Sequence, residues 1–116
     1  LREEPYQAAV IERFRPGAIM GKGGMGKSTS QALQAYGGVY LHVTGGAAQY
    51  LARCIKEVVS VHLLEEFGQP EAMWVIRVAD LPALVTMDAA GASLHDEINT
   101  RSAQNIRELL EKPYTG

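Results

Sequence analysis

The glycine-rich segment 21–29, GKGGMGKST, constrains the fold of this chain more than any other feature of its sequence. The segment follows a short apolar run, 18–20, and precedes a stretch with helical character through about Tyr36. It is therefore expected to join a buried strand to a helix. The same succession recurs in residues 39–55, where VYLHV is followed by TGG and then by small and apolar residues. Strand, glycine turn and helix thus occur twice, which predicts an α/β fold.

The other elements follow from breaks in the apolar pattern. A first helix is expected to begin at Pro5 and to stop before Pro16. Runs rich in β-branched and apolar residues predict three more strands, at 58–64, 73–78 and 83–87. A last helix is expected over residues 93–112, ended by Pro113. With 116 residues and no visible linker or repeat, the chain is expected to form one domain.

Charge and cysteine content exclude several classes of function. The 11 basic and 13 acidic residues give a net charge of −2, so we expect no nucleic-acid partner and no attraction to an anionic membrane. No apolar run approaches the roughly 20 residues that span a bilayer. The single cysteine, Cys54, cannot form an internal disulfide, which favours the reducing cytoplasm. Because the chain opens at Leu1 and not at Met, it is expected to be part of a longer product whose upstream segment is missing.

Residues 21–28 fit the P-loop pattern G-x-x-x-x-G-K-[ST], which cradles phosphate with backbone N–H groups and a lysine. A nucleotide hydrolase also needs an acidic residue for Mg²⁺, and the candidates Asp80 and Asp88 lead into turn-like sequences. Two alternatives remain from the residues alone. The glycines can simply make a tight connection that leaves Lys22 and Lys27 in solvent. Alternatively, the same N–H groups and helix N-terminus can hold a carboxylate beside a lysine.

Six segments in order favour the carboxylate-binding alternative through a family resemblance. Together they closely resemble the C-terminal or β-subunit part of the class I, iron–sulfur-dependent fumarate hydratases and tartrate dehydratases. The segments are IMGKGGMG (19–26), GVYL (38–41), GGAA (45–48), EFGQPEAMW (66–74), DLPA (80–83) and DAAGASL (88–94). They follow one another in the family's order between residues 19 and 94, and six in sequence are more specific than the P-loop pattern alone.

The resemblance implies that residues 1–116 are a single swivelling β/β/α domain of the fumarase β-subunit type, or the C-terminal part of one. It implies a hydro-lyase for a small dicarboxylate, with fumarate and malate first and tartrate as the other branch. A [4Fe–4S] cluster would be supplied by an α subunit or preceding domain, in a hetero-oligomer, and the chain would be active only with that partner. The composition is consistent with a cluster held by the partner. One cysteine cannot supply the three thiolates of such a cluster, and the three histidines have no ligand-like spacing.

The resemblance also assigns candidate substrate-binding residues. The family carries G-P-T-T-x-x-R-M-[DE] and, about twenty residues later, a K-G loop. Arg2 stands at the arginine, Glu4 at the acidic position and Lys22 at the loop lysine, followed by Gly23 and Gly24. Arg2 and Lys22 would grip the substrate carboxylates. Glu3 replaces the family's methionine. The family's threonine pair would precede Leu1, so no catalytic residue is assigned in this chain.

The remaining polar and aromatic residues are expected to be structural. Ser28 is expected to cap the second helix, Cys54 to be a small buried residue, Trp74 to lie in the core and His95 at the surface. Glu65, Glu66 and Glu71 are expected to be solvated turn residues or a subunit contact. Two alternatives of function stay open: a P-loop nucleotide-binding module that uses residues 21–28, and a non-catalytic assembly domain of the same fold.

Overall fold

The computed structural model describes residues 2–111 and shows a mixed α/β fold, as the sequence predicts. Two compact units can be distinguished, one from residues 2–43 with 83–111 and one from Thr44–Pro82. That residues 1–116 form one domain stays a prediction, because the two units are distinguished by their internal contacts and not by independent folding or function. The elements in chain order are α1 (Glu4–Phe14), β1 (Ala18–Gly21), α2 (Lys27–Tyr36), β2 (Val39–His42), α3 (Ala48–Cys54), β3 (Ile55–His62), α4 (Leu64–Glu71), β4 (Met73–Val78), β5 (Leu84–Met87) and α5 (Leu94–Glu111).

The first unit is built on a three-stranded sheet in the order β1-β2-β5. Strand β1 runs parallel to β2, and β5 runs antiparallel to β2. The parallel β1–α2–β2 crossover is the first of the two predicted strand–turn–helix successions. The prediction that β1 is buried is wrong: its residues alternate between exposed and half-buried, and Met20 is 47% exposed.

The core of this unit is small and is drawn from α1, α2 and the sheet. Its buried members come from α1, α2, β2, β5 and the glycine loop, which is residues 21–26. They are Ile11, Met25, Ala32, Leu33, Tyr40 and Met87. Burial of these side chains supplies the main apolar driving force for docking α1 and α2 on the sheet.

The ends of α1 and α2 follow from local backbone chemistry. Pro5 lies in the first turn of α1, where its missing N–H costs nothing. Gly37 ends α2 with a φ of 78°, a conformation that glycine adopts without steric cost. The prediction that Ser28 caps α2 is wrong. The N-cap is Gly26, so Ser28 is already the second helical residue.

The second unit is an antiparallel β3–β4 hairpin with α3 and α4. Helix α4 was predicted as a turn, because Gly68 and Pro70 rarely continue a helix. Gly68, at φ 72° and ψ 173°, does kink it.

Cys54 is buried, as predicted, and it is the only buried residue of Thr44–Pro82. Trp74 contradicts its prediction: it is 44% exposed, and its Nε1–H donates to the Gln69 carbonyl at 3.2 Å.

Helix α5 follows its prediction over the described residues, while Pro113, its predicted terminator, lies outside them. Within residues 2–111, no helix combines the length and the apolar character needed to cross a membrane.

Candidate functional site

The glycine loop connects the end of β1 to the start of α2 and is fixed from inside the protein. Met25 is 8% exposed and belongs to the core cluster, so the loop is held by a buried side chain at its centre. Gly23 has a φ of 78°, where a side chain would be strained. The loop therefore has a defined path, and Lys22 projects from a fixed backbone.

The N-terminus of α2 is occupied by a carboxylate from α1. Glu4 Oε2 accepts the Gly26 N–H at 2.7 Å and the Thr29 hydroxyl at 2.6 Å. Glu4 Oε1 accepts the Thr29 N–H at 3.1 Å. Burial raises the pKa of the Glu4 carboxyl. Hydrogen bonds from the Thr29 hydroxyl and from backbone amides outweigh this effect, so the pKa lies below its ordinary value of 4.5.

This contact changes the interpretation of the P-loop pattern. In a P-loop, the free N–H groups at the start of the helix receive phosphate. Here the Gly26 and Thr29 amides are already bonded to Glu4, which also complements the positive end of the helix dipole. The expectation that this helix N-terminus could hold a ligand's carboxylate is corrected in the same way, because the carboxylate it holds belongs to the protein.

A cavity of about 450 Å³ lies beside the glycine loop in the first unit. Three of the four predicted substrate-binding residues line it: Arg2, Lys22 and Gly24. The fourth, Gly23, is adjacent in the loop but is not among the lining residues. The other lining residues are Glu3, Gln7, Ile19, Met20, Gly21, Met25 and Tyr40.

The positive charge at this cavity comes from two solvent-exposed side chains. The Arg2 and Lys22 residues are both exposed. Arg2 Nε lies 3.2 Å from Glu3 Oε1, in an ion pair whose side chains are 95% and 64% exposed. Such an exposed pair is weak and can be exchanged for a ligand carboxylate. Burial raises the pKa of the Tyr40 phenol, which therefore stays a neutral hydroxyl; Tyr40 lines the cavity and its hydroxyl lies against Gly21.

Two histidines flank the loop, and no local pattern in the sequence indicates either contact. His42 Nδ1 lies 3.1 Å from both the amide nitrogen and the carbonyl oxygen of Gly23. The His95 ring packs on Gly24, and its centroid is 6.4 Å from that of His42. The prediction that His95 is a surface residue is wrong: it is half-buried, and its Nε2 atom is shielded from solvent.

The residues of this chain do not fit an iron–sulfur cluster. Cys54 is its one cysteine, and the buried Sγ lies 3.5 Å from the Asp80 carbonyl oxygen and 3.7 Å from that of Tyr50. In the described part of the chain, no three His, Cys, Asp or Glu side chains gather in a way that could hold a metal ion.

Comparison with known proteins identifies relatives over nearly the whole length of the chain. The family model described as "Fumarase C-terminus" matches residues 1–98. A protein of Geobacillus stearothermophilus named "Putative fumarate hydratase class I" is 52% identical over 115 residues, which are 99% of this chain and 22% of the relative. A Methanocaldococcus jannaschii protein named "Putative L(+)-tartrate dehydratase subunit beta" is 42% identical over 110 residues, 94% of this chain and 56% of the relative. The "L(+)-tartrate dehydratase subunit beta" of Escherichia coli K12 is 30% identical over 113 residues, 97% of this chain and 56% of the relative.

Proposed function

Because this chain belongs to the fumarase C-terminal family, we propose that it is the β-type part of an iron–sulfur hydro-lyase for a small dicarboxylate. Fumarate and malate are the first candidates, and tartrate is the second, as the names of the relatives suggest. The chain spans 22% to 56% of the length of these relatives, so the complete activity would belong to a larger assembly. In that assembly it would be a swivelling β/β/α domain.

The observation that carries this proposal is the shared cavity of Arg2 and Lys22. The two cations come from residues 20 positions apart in the sequence, yet both line one space of about 450 Å³. That volume falls within the range of small-molecule sites. Two cations on one cavity suit a ligand with two carboxylates, since each carboxylate can find its own positive partner.

Arg2 and Lys22 would contribute binding and orientation. The planar guanidinium of Arg2 can hold a carboxylate with two parallel hydrogen bonds, whereas Lys22 offers a compact point charge on the glycine loop. Holding both ends of a dicarboxylate fixes the carbon that loses a proton relative to the carbon that loses the hydroxyl. Such positioning can lower a barrier by about 7–11 kcal/mol in the best cases. No residue of this chain is assigned the proton transfer itself.

The cofactor would come from a partner. A [4Fe–4S] cluster needs cysteine thiolates, and the buried Cys54 is unsuited to ligate it. We therefore propose that an α subunit or a preceding domain holds the cluster, so that the assembly would be a hetero-oligomer or a fused chain. We also propose that it is cytoplasmic, the location that a single unpaired cysteine favours. The proposed role of this chain is to bind and orient the substrate.

The contact between Glu4 and α2 argues against the nucleotide-binding alternative. A phosphate at the start of α2 would have to displace a carboxylate that accepts three hydrogen bonds there. An assembly domain without a substrate role would retain the fold but would not need Lys22.

An anaerobic co-purification from the native source, with this chain as bait, tests the proposal. We expect an iron–sulfur partner to be retained and the retained material to hydrate fumarate or to dehydrate tartrate. Exposure to oxygen should abolish that activity. Recovery of no iron–sulfur protein and no activity would contradict the proposal. Partner binding with activity that is insensitive to Lys22→Ala would instead support an assembly role.

A further inference from the structure

The Glu4 carboxylate joins the two chain segments that carry the cations of the cavity. Glu4 is two residues from Arg2, and its acceptor atoms bind Gly26, which is four residues from Lys22. The cavity therefore lies between two segments that a single side chain ties together. These segments are far apart in the sequence, so their spacing depends on tertiary contacts of this kind.

We propose that Glu4 is a positioning residue, which sets the location of Lys22 relative to Arg2 by anchoring the glycine loop to the start of α1. This role rests on the proposed function, because it concerns the same dicarboxylate site. Glu4 does not line the cavity and so would act through the loop. It would bind no substrate itself.

The geometry at Gly26 explains why a carboxylate is suited to this task. Two oxygens receive three donors, Gly26 N–H, Thr29 N–H and the Thr29 hydroxyl, at 2.6–3.1 Å. An acceptor-only group satisfies all three donors at once. A glutamine of the same shape would turn one NH₂ group toward a donor and would lose at least one of these bonds. Thr29 is fully buried, so water does not replace the lost partner easily.

A substitution at Gly26 can disrupt the same contact without changing Glu4. A Cβ added at Gly26 would lie 2.8 Å from Glu4 Oε1, too close for the carboxylate to keep its place. The φ of −95° and ψ of −168° at Gly26 are open to any residue, so alanine would bring no backbone strain. Gly26→Ala should therefore displace Glu4 without altering it.

Glu12 provides a matched control on the same helix. It also connects α1 to α2, since the Tyr36 hydroxyl donates to Glu12 Oε1 at 2.9 Å. Glu12 lies at the far end of α1 from Arg2 and does not line the cavity. Glu12→Gln thus weakens the α1–α2 contact while leaving the glycine loop anchored.

Steady-state kinetics of the assembled enzyme with its dicarboxylate substrate test the proposal. We expect Glu4→Gln and Gly26→Ala each to raise KM roughly tenfold, with a smaller change in kcat, and Glu12→Gln to leave both unchanged. Thr29→Val should act like Glu4→Gln, whereas Thr29→Ser, which keeps the hydroxyl, should restore most of the affinity. These variants change different sides of the contact, so misfolding of one does not prevent the test.

A double-mutant cycle separates positioning from a general structural role. If Glu4 acts through Lys22, Glu4→Gln should raise KM little further once Lys22→Ala is present. Multiplicative effects of the two substitutions, or an unchanged KM in Glu4→Gln and Gly26→Ala, would overturn the positioning role. An unchanged KM in Lys22→Ala would overturn the proposed function, and the role of Glu4 with it.

Amide hydrogen exchange gives a test that does not depend on turnover. Glu4→Gln should accelerate exchange at Gly26, Thr29 and the rest of the glycine loop, while strand β2 stays protected. Equal acceleration in both regions would indicate a general loss of stability and would contradict a local anchor.

Discussion

The imidazole ring of His95 packs on Gly24 so closely that a Cβ at that position would lie 2.8 Å from the ring. Residue 24 lines the cavity, and residue 95 is in the first turn of α5. The contact thus connects the glycine loop to a helix 71 positions away in the sequence. It shows that the path of the loop depends on the packing of α5 as well as on its own glycines.

Gly24→Ala should impair the site through this contact. The new methyl group would collide with the half-buried His95 ring, so either the ring or the loop must shift from its present position. We expect a rise in KM for the dicarboxylate of roughly tenfold or more, since small displacements of a binding group have large effects. Gly17→Ala is the matched control, because a Cβ there meets no atom within 4 Å. A second substitution, His95→Ala, should relieve the collision and lower KM again; equal defects in the single and double variants would contradict the account.

Glu3 should weaken the site, so Glu3→Gln is expected to improve substrate affinity. The carboxylate lines the cavity and pairs with Arg2 at 3.2 Å, where it competes with the substrate for the guanidinium. Because the pair is exposed, its removal should lower KM only modestly, roughly two- to fivefold. Glu108→Gln on the exposed surface of α5 serves as the control for a general change in charge. An increase in KM on Glu3→Gln would show that Glu3 orients Arg2 and does not compete for it.

Stability should depend on pH through Glu4. The pKa of this carboxyl is lower in the folded protein than its ordinary value of 4.5, so the folded state favours the ionised form. The resulting stabilisation is fully present above pH 4.5 and is lost as the pH falls through the lowered pKa. At neutral pH, Glu4→Gln should reduce the free energy of unfolding by roughly 1–3 kcal/mol, the cost of leaving buried donors without a charged partner. Urea unfolding of both proteins at several pH values should show this difference shrinking below pH 4.5. A difference independent of pH would contradict the assigned hydrogen bonds.

Cys54→Ser should leave the iron content of the assembled enzyme unchanged. Serine keeps a side chain of similar size with a donor near the Asp80 carbonyl oxygen, and the buried thiol is not in a metal-binding group in the described part of the chain. Iron and acid-labile sulfide can be measured directly in the purified assembly. Loss of either on this substitution would place a cluster ligand in this chain, contrary to the proposal.

The sequence predicted most of the secondary structure because the apolar runs and the glycine or proline breaks are local signals. It missed α4, since Gly68 and Pro70 normally mark a turn, and the structure accommodates them through a kink at Gly68. It also placed Trp74 in the core, because alternation in a strand shows which residues share a face but not whether that face is covered.

Within the site, the family pattern pointed to Arg2 and Lys22, but the contacts around them are long-range. Glu4 caps α2 from 22 residues away, and nothing near Gly26 in the sequence indicates an acceptor there. Ser28 was the local candidate for that cap, but the helix begins two residues too early for it, because Gly26 is the N-cap. The contacts of His42 and His95 with the loop likewise appear only once the chain has folded.

The KM values of Lys22→Ala and Lys27→Ala for the dicarboxylate substrate, measured in the assembled enzyme, test whether this cavity is the dicarboxylate site. Lys22 lines the cavity with Arg2, whereas Lys27 is an exposed residue at the start of α2 that does not line it. We predict that Lys22→Ala raises KM roughly 10- to 100-fold, as expected for the loss of a charged hydrogen bond, and that Lys27→Ala leaves it unchanged. An unchanged KM in Lys22→Ala, or a larger effect of Lys27→Ala, would contradict the assignment of this cavity as the dicarboxylate site.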